Sequence, residues 1–187
     1  MTVVSQFLIE HDPVDVLDAC GYWAPVELSA DGIRQIHAAA LAAAAEQPSI
    51  RAGVQHVSDA LRQARLTPLG KDHAAAIRSA IVWAKALALH SDRAQASAWF
   101  DGHEHFCDGA GHDLGPYWVA EEQFAAWEAG RDASPDYPLH KAAQSEATEY
   151  LASRFNGLRE LTTKKANACW VRGYRRALDR LYARSSS

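Results

Sequence analysis

Residues 162–184 form the stretch that most constrains what this chain can fold into. At 3.6 residues per turn, its apolar and aromatic residues fall on one side of a helix: Ala166, Trp170, Tyr174, Ala177, Leu178, Leu181 and Tyr182. The opposite side carries five basic residues with only Asp179 to offset them: Lys165, Arg172, Arg175, Arg176 and Arg180. The pattern therefore predicts a long amphipathic C-terminal helix with one packing face and one solvated basic face.

Most of the remaining chain also has helical spacing, and Ser29 and Ser49 precede two of these stretches as N-caps. Helices are predicted at about 13–20, 29–47, 49–66, 71–90, 92–100, 121–133 and 139–154. Only 2–9, rich in β-prone residues, is expected to be an edge strand or extended arm. The expected fold is mainly α: a compact multi-helix bundle with a Gly/His-rich loop and a long amphipathic C-terminal helix.

The Gly/His-rich loop is predicted at 101–116, where the helical period stops. It contains four side chains of the types that bind zinc: His103, His105, Cys107 and His112. Their spacing matches no standard zinc motif, so two readings stay open. Either the loop is polar and solvated with Phe106 packed inward, or it holds a structural zinc ion.

Charge is unevenly distributed along the chain, whose formal net charge is -4. From residue 164 onward there are seven basic residues and one acidic residue, a local charge of +6 that leaves -10 for residues 1–163. A basic end on an acidic body favours either an anionic partner or docking on the protein's own acidic surface. A bundle core at 1–116 and a C-terminal segment at 117–187 are expected to form one globular unit.

Catalytic and targeting signatures are missing from the sequence. It has no Gly-rich phosphate loop, no nucleophile elbow and no paired-carboxylate motif, so a non-enzymatic role is favoured. The three cysteines are widely spaced and imply no disulfide framework. Without a signal peptide pattern or a long apolar run, a cytoplasmic protein away from membranes is expected. Among the tryptophans, Trp118 and Trp170 are candidates for stacking or interface roles.

Three segments carry a resemblance to a known family: 124–131 (FAAWEAGR), 134–138 (SPDYP) and 168–177 (ACWVRGYRRA). Together they resemble the two-helix pattern of ribosome modulation factor-like proteins, in which Trp170, Gly173, Tyr174 and Ala177 match the second helix in order. The resemblance covers about a third of the chain, and a further predicted helix, 139–154, separates the two matching helices. It implies a small non-enzymatic protein that binds ribosomal RNA and modulates translation.

Two functions follow most directly from these features. In the first, the basic helix contacts RNA or a ribonucleoprotein through Lys165, Arg172, Arg175, Arg176 and Arg180, with Trp170 and Tyr174 stacking on bases if they are not buried. In the second, the chain is a phage or mobile-element accessory protein that binds and inhibits or adapts a host protein complex. A zinc-dependent domain built on the His/Cys loop is a third alternative; otherwise no cofactor is expected.

Overall fold

The computed structural model describes residues 2–19, 21–70, 72–115, 119–155 and 163–185, and it confirms the mainly α fold. In the described residues the helices are α1 Val3–Ile9, α2 Pro13–Ala19, α3 Ala30–Ala45, α4 Ile50–Gln63, α5 His73–Leu89, α6 Arg93–Glu104, α7 Phe124–Ala133, α8 Tyr137–Phe155 and α9 Thr163–Ser185. A 3-10 turn, Glu121–Gln123, leads into α7. Two short strands, β1 Tyr22–Trp23 and β2 Thr67–Pro68, complete the elements.

The N-terminal unit, residues 1–100, has an aliphatic core. Its fully or almost fully buried members come from α1 to α5 and the connection after α4: Leu8, Val14, Leu17, Leu41, Val57, Leu61, Leu66, Ile77 and Ile81. The predicted caps hold, since the Ser29 hydroxyl accepts from the Gly32 N–H and the Ser49 hydroxyl from the Ala52 N–H. Helical periodicity in the sequence thus predicted the helices α3, α4 and α5 of this unit.

The strands β1 and β2 form a two-stranded antiparallel ribbon within this unit. Tyr22 pairs with Pro68 and Trp23 with Thr67, and the Leu69 N–H donates to the Gly21 carbonyl at 2.8 Å. Gly21 has a φ of +64°, which glycine adopts without the steric penalty of a Cβ. The ribbon joins the connections after α2 and α4.

The expected strand or arm at residues 2–9 is wrong, because this segment is the helix α1. The Thr2 hydroxyl caps it by accepting from the Ser5 N–H at 3.1 Å. Leu8 is fully buried in the aliphatic core and Ser5 is buried beside the cap. Burial of one helical face overrides the weak strand preference of the β-branched residues, a context effect to which β-propensity is prone.

The C-terminal unit, residues 101–187, contains a closely packed pair of helices, α8 and α9. Ala143 and Ala147 on α8 meet Tyr174 and Ala177 on α9, and all four are buried. Gly173 allows the approach, because a Cβ at this position would lie 3.3 Å from Tyr150 Cδ1 and 3.5 Å from Ala147 Cα. The long amphipathic helix expected from the sequence is therefore present as α9, with its apolar side against α8.

Helix α6 continues to Glu104, so the loop predicted at 101–116 begins later than expected. Gly102 was interpreted as a loop residue, but it lies within the helix. A Cβ there would collide with the backbone of Trp127 on α7, lying 2.9 Å from its carbonyl carbon. The contacts divide the chain between Phe100 and Asp101, whereas the sequence division was placed after residue 116.

Cys20, at the expected end of the first predicted helix, and Trp118 lie outside the described residues. Within the described part of the chain, no helix combines the length and the apolar character needed to cross a membrane.

Candidate nucleic-acid interface on the C-terminal helix

The five basic residues predicted to contact nucleic acid are all exposed on α9; they are Lys165, Arg172, Arg175, Arg176 and Arg180, hereafter the basic face. Arg172 and Arg176 are one helical turn apart, and Lys165 lies two turns before Arg172. Among the residues that the structure describes, these three make no ion pair. Within the described residues, their charges therefore form no part of the fold's ion pairs.

The other two members of the basic face do have partners within the C-terminal unit. Arg180 forms an ion pair through Nη2 with Glu146 Oε2 on α8. Arg175 donates from Nη2 to the carbonyl oxygen of Gly109 at 3.2 Å. Both side chains are exposed, so these contacts compete with solvent and contribute little to stability.

A groove with a volume of about 170 Å³ lies beside the basic face, between α8 and α9. Arg176 and Arg180 line it from α9, and Glu146 and Tyr150 line it from α8. Two guanidinium groups against one carboxylate leave this groove positively charged. Guanidinium groups pair with phosphate through two parallel hydrogen bonds, so the groove has the chemistry to hold a phosphate oxyanion.

The aromatic residues of α9 are engaged inside the protein. Tyr174 is 4% exposed, so it cannot stack on a base. The ring of Trp170 lies parallel to Tyr174 at 5.6 Å and to His112 at 4.9 Å, and its Nε1 donates to Thr148 Oγ1 at 3.1 Å. Both aromatic residues therefore pack within the C-terminal unit, and Tyr174 is removed from the residues expected to stack on bases.

A polar network around the buried His140 ties Tyr174 to α8 and to the segment before residue 116. His140 is 2% exposed, and its Nε2 lies 2.7 Å from Asp113 Oδ1 while its Nδ1 lies 2.9 Å from the Tyr174 hydroxyl. A carboxylate only accepts, so Nε2–H donates to Asp113; in the neutral imidazole Nδ1 then accepts the Tyr174 O–H. Lys141 Nζ and Gln144 Nε2 donate to the same carboxylate at 2.9 and 3.1 Å.

The ionisation of this network follows from burial and hydrogen bonding. Burial raises the pKa of Asp113, but donation from Lys141 and His140 outweighs it and leaves that pKa below its ordinary value. Burial also raises the pKa of the Tyr174 hydroxyl. The Asp113 carboxylate is thus charged and the Tyr174 phenol neutral near neutral pH.

The segment 107–114 folds back on itself beside Tyr174. The Asp108 carboxylate accepts from the N–H groups of Ala110 and His112 at 2.9 and 2.8 Å. The backbones of Cys107 and Asp113 pair as a single antiparallel β-bridge. Gly111, with a φ of +90°, passes so close to the Tyr174 ring that a Cβ would lie 2.7 Å from its Cγ. This segment is a specific turn held by its own hydrogen bonds and by α9.

The four candidate zinc ligands occupy different environments. His103 is buried on α6 with its Nδ1 2.8 Å from Glu104 Oε1, and His105 is exposed, 3.8 Å from Asp101. Cys107 hydrogen bonds with Tyr174, and His112 stacks on Trp170.

Burial raises the pKa of the Cys107 thiol, so the reactive thiolate is disfavoured. Among the described residues, no three His, Cys, Asp or Glu side chains converge as a metal ion would require.

Sequence reasoning assigned no role to His140, which lies within the helix predicted at 139–154. Its partners, Asp113 and Tyr174, lie 27 and 34 residues away in the sequence, and no periodic pattern connects the three. One signal was present: a histidine at the start of a helix whose neighbours on the same face are the small residues Ala143 and Ala147. That setting leaves room for a side chain from elsewhere to reach the imidazole.

Comparison of the chain with protein-family models, with curated proteins and with solved structures gave no match to any of them.

Proposed function

We propose that this protein binds RNA, alone or within a ribonucleoprotein, through the basic face of α9. The observation that carries the proposal is the exposure of five cations on one helix, three of which make no ion pair among the described residues. Cations held in a row at helical spacing can neutralise successive phosphates and release their counterions. No catalytic step is part of this function.

The arrangement favours contacts to the RNA backbone. Phosphate contacts fix the position of a protein on nucleic acid but carry no sequence information directly. Because Trp170 and Tyr174 are engaged within the unit, the basic face offers charge and no aromatic platform. Binding is therefore expected to be sensitive to salt and tolerant of base sequence.

The ribosome modulation factor-like pattern adds ribosomal RNA to this proposal as the specific target. Within that pattern, Gly173 is the residue that permits close helix approach, and it lies against Ala147 and Tyr150 of α8. Lys165, Arg172 and Arg175 of the basic face are exposed and do not line the groove between α8 and α9, whereas Arg176 and Arg180 line it. A helix held by one face and open on the other is suited to lie along a phosphate backbone.

Fluorescence anisotropy of labelled, structured RNA oligonucleotides, repeated across salt concentrations, tests the proposal. If most of the basic face contacts phosphate, log affinity falls against log salt with a slope on the order of -3 to -5. Replacing two unpaired cations together, Arg172→Gln with Arg176→Gln, is expected to weaken binding and to make the slope shallower by about 1.5 to 2.

The matched control removes two exposed arginines from the N-terminal unit, Arg51→Gln with Arg65→Gln, which changes the net charge by the same amount. This control is expected to leave the salt slope unchanged. Equal losses in both double variants would mean that only overall charge matters and would overturn the assignment to α9. Affinity too weak to measure at low salt would overturn RNA binding itself.

A second candidate function, docking to a protein partner, is favoured by exposed apolar residues around the β1–β2 ribbon. Trp23 is 60% exposed and Leu69 is 70% exposed. Trp23 lies in β1 and Leu69 directly follows β2, so both flank the same short ribbon. An accessory protein that inhibits or adapts a host complex would lose binding on replacement of Trp23 but keep it in the α9 double variant.

A further inference from the structure

A cavity of about 260 Å³ lies in the N-terminal unit, where the ribbon meets α4 and α5. Three of its lining side chains are almost fully buried: Leu61, Leu66 and Ile77. At about 30 Å³ for each water molecule in the liquid, the volume corresponds to roughly nine waters. It therefore has room for a compact ligand of roughly nine non-hydrogen atoms.

Two side chains give the cavity its polar chemistry. Arg62, near the end of α4, donates from Nη1 to Asp59 Oδ1 at 2.7 Å, which leaves Nε and Nη2 as further donors. His73, the first residue of α5, also lines the cavity and is half-buried. The apolar lining and these nitrogen groups meet in the same space, which is the usual composition of a small-molecule site.

We propose that this cavity binds a small monocarboxylate with a compact apolar body. The apolar body would replace water against Leu61, Leu66 and Ile77, and the carboxylate would accept from Arg62. A guanidinium matches the two oxygens of a carboxylate. Asp59, beside Arg62, disfavours a ligand of higher negative charge, and an uncharged ligand would gain no ion pair with Arg62. The α9 basic face has no part in this site.

The experiment follows the methyl NMR signals of Ile77, Leu61 and Leu66 in the full chain during titration with benzoate, and separately with benzyl alcohol. Benzoate has nine non-hydrogen atoms and one carboxylate, and benzyl alcohol keeps the ring without the charge. The expected result is a saturable shift of the Ile77 methyl signals by both, with benzoate binding more tightly. Benzoate titration that leaves these methyl signals unmoved would overturn the proposal.

Arg62→Gln supplies the decisive variant, since this side chain is 73% exposed and its loss is tolerable for the fold. It is expected to weaken benzoate binding by about threefold to fivefold, as for a partly exposed ion pair, and to leave benzyl alcohol unaffected. Arg51→Gln, an exposed arginine on the same helix and outside the cavity lining, is the matched control. Equal weakening of both ligands by Arg62→Gln would overturn the carboxylate assignment.

Discussion

In the N-terminal unit the hydrophobic core is aliphatic and comes from at least five helices, whereas α8 and α9 of the C-terminal unit meet through alanines and Tyr174. The buried histidines His37 and His140 show the same difference. His37 has one hydrogen bond, from Nδ1 to Asp18, and its Nε2 has no partner among the described residues; His140 is bonded at both nitrogens.

The difference shows two ways in which a helical chain of this size orders its parts. An aliphatic core stabilises by removing apolar area from water and tolerates changes that keep volume and pattern. A small core completed by a polar network depends on each hydrogen bond, because an unpaired buried group carries its full desolvation penalty. The C-terminal unit should accordingly be sensitive to changes that hardly alter apolar area.

The largest effect is expected at Gly111, where the turn passes the Tyr174 ring. Gly111→Ala places a methyl group against that ring and requires a φ of +90°, so it should destabilise the C-terminal unit by about 2–4 kcal/mol. Gly109→Ala, in the same turn, has nothing within 4 Å of the added Cβ and should change stability by less than about 0.5 kcal/mol.

Native-state hydrogen exchange measures both variants, with amides of α8 and α9 as the readout and amides of α3 as the internal reference. Protection in α8 and α9 should fall for Gly111→Ala while that in α3 is retained. If Gly109→Ala loses as much protection as Gly111→Ala, the close contact with Tyr174 is not what holds the turn.

A smaller effect is expected from removing one oxygen atom. Tyr174→Phe deletes the hydroxyl that partners His140 inside the C-terminal unit, and it should cost about 1–3 kcal/mol. Lys141→Met deletes an exposed partner of Asp113 in the same network and should cost about 1 kcal/mol or less. Hydrogen exchange of the α8 amides gives the free energy of opening for each variant. If Tyr174→Phe and Lys141→Met lower this free energy equally, burial of the deleted partner is unimportant.

Sequence periodicity could predict those parts of the fold that depend on residue spacing within a single helix. Leu41, Val57 and Ile77 recur at helical spacing within their own helices, so their burial was predictable. The basic face of α9 was predictable for the same reason. Tyr174 also fell on the predicted packing face, but its partners could not be found this way.

The contacts that complete the C-terminal unit join residues far apart in the chain. Asp113 reaches His140 across 27 residues, and nothing in the pattern around either residue encodes that pairing. The same holds for Gly102, whose absence of a side chain matters only because the backbone of α7 lies beside it. Glycine signals a turn from local sequence alone, and only the packed helix shows that here it permits close approach.

The smallest predicted effects are changes in the stability of each unit with pH, and the two units should differ in the pH at which they occur. Burial lowers the pKa of His37 despite the opposing charge and hydrogen bond of Asp18. The folded state therefore favours neutral His37, and its contribution is present above the unfolded pKa of about 6.5 and declines as pH falls through that value. Asp113 has a lowered folded pKa, so its contribution is present above about pH 4 and declines as pH falls below it.

The two units should consequently lose stability in different pH windows, each by no more than about 1.4 kcal/mol per pH unit for one proton. Hydrogen exchange of α3 amides, corrected for intrinsic exchange rates, should show a decline beginning near pH 7 that His37→Gln flattens. Amides of α8 should show the Asp113 contribution declining only below about pH 4, and Asp113→Asn should flatten that part. A decline near pH 7 in α3 that persists in His37→Gln would assign the proton uptake to another group. The incomplete hydrogen bonding of His37 would then be neutral for stability, and the contrast between His37 and His140 would have no energetic consequence.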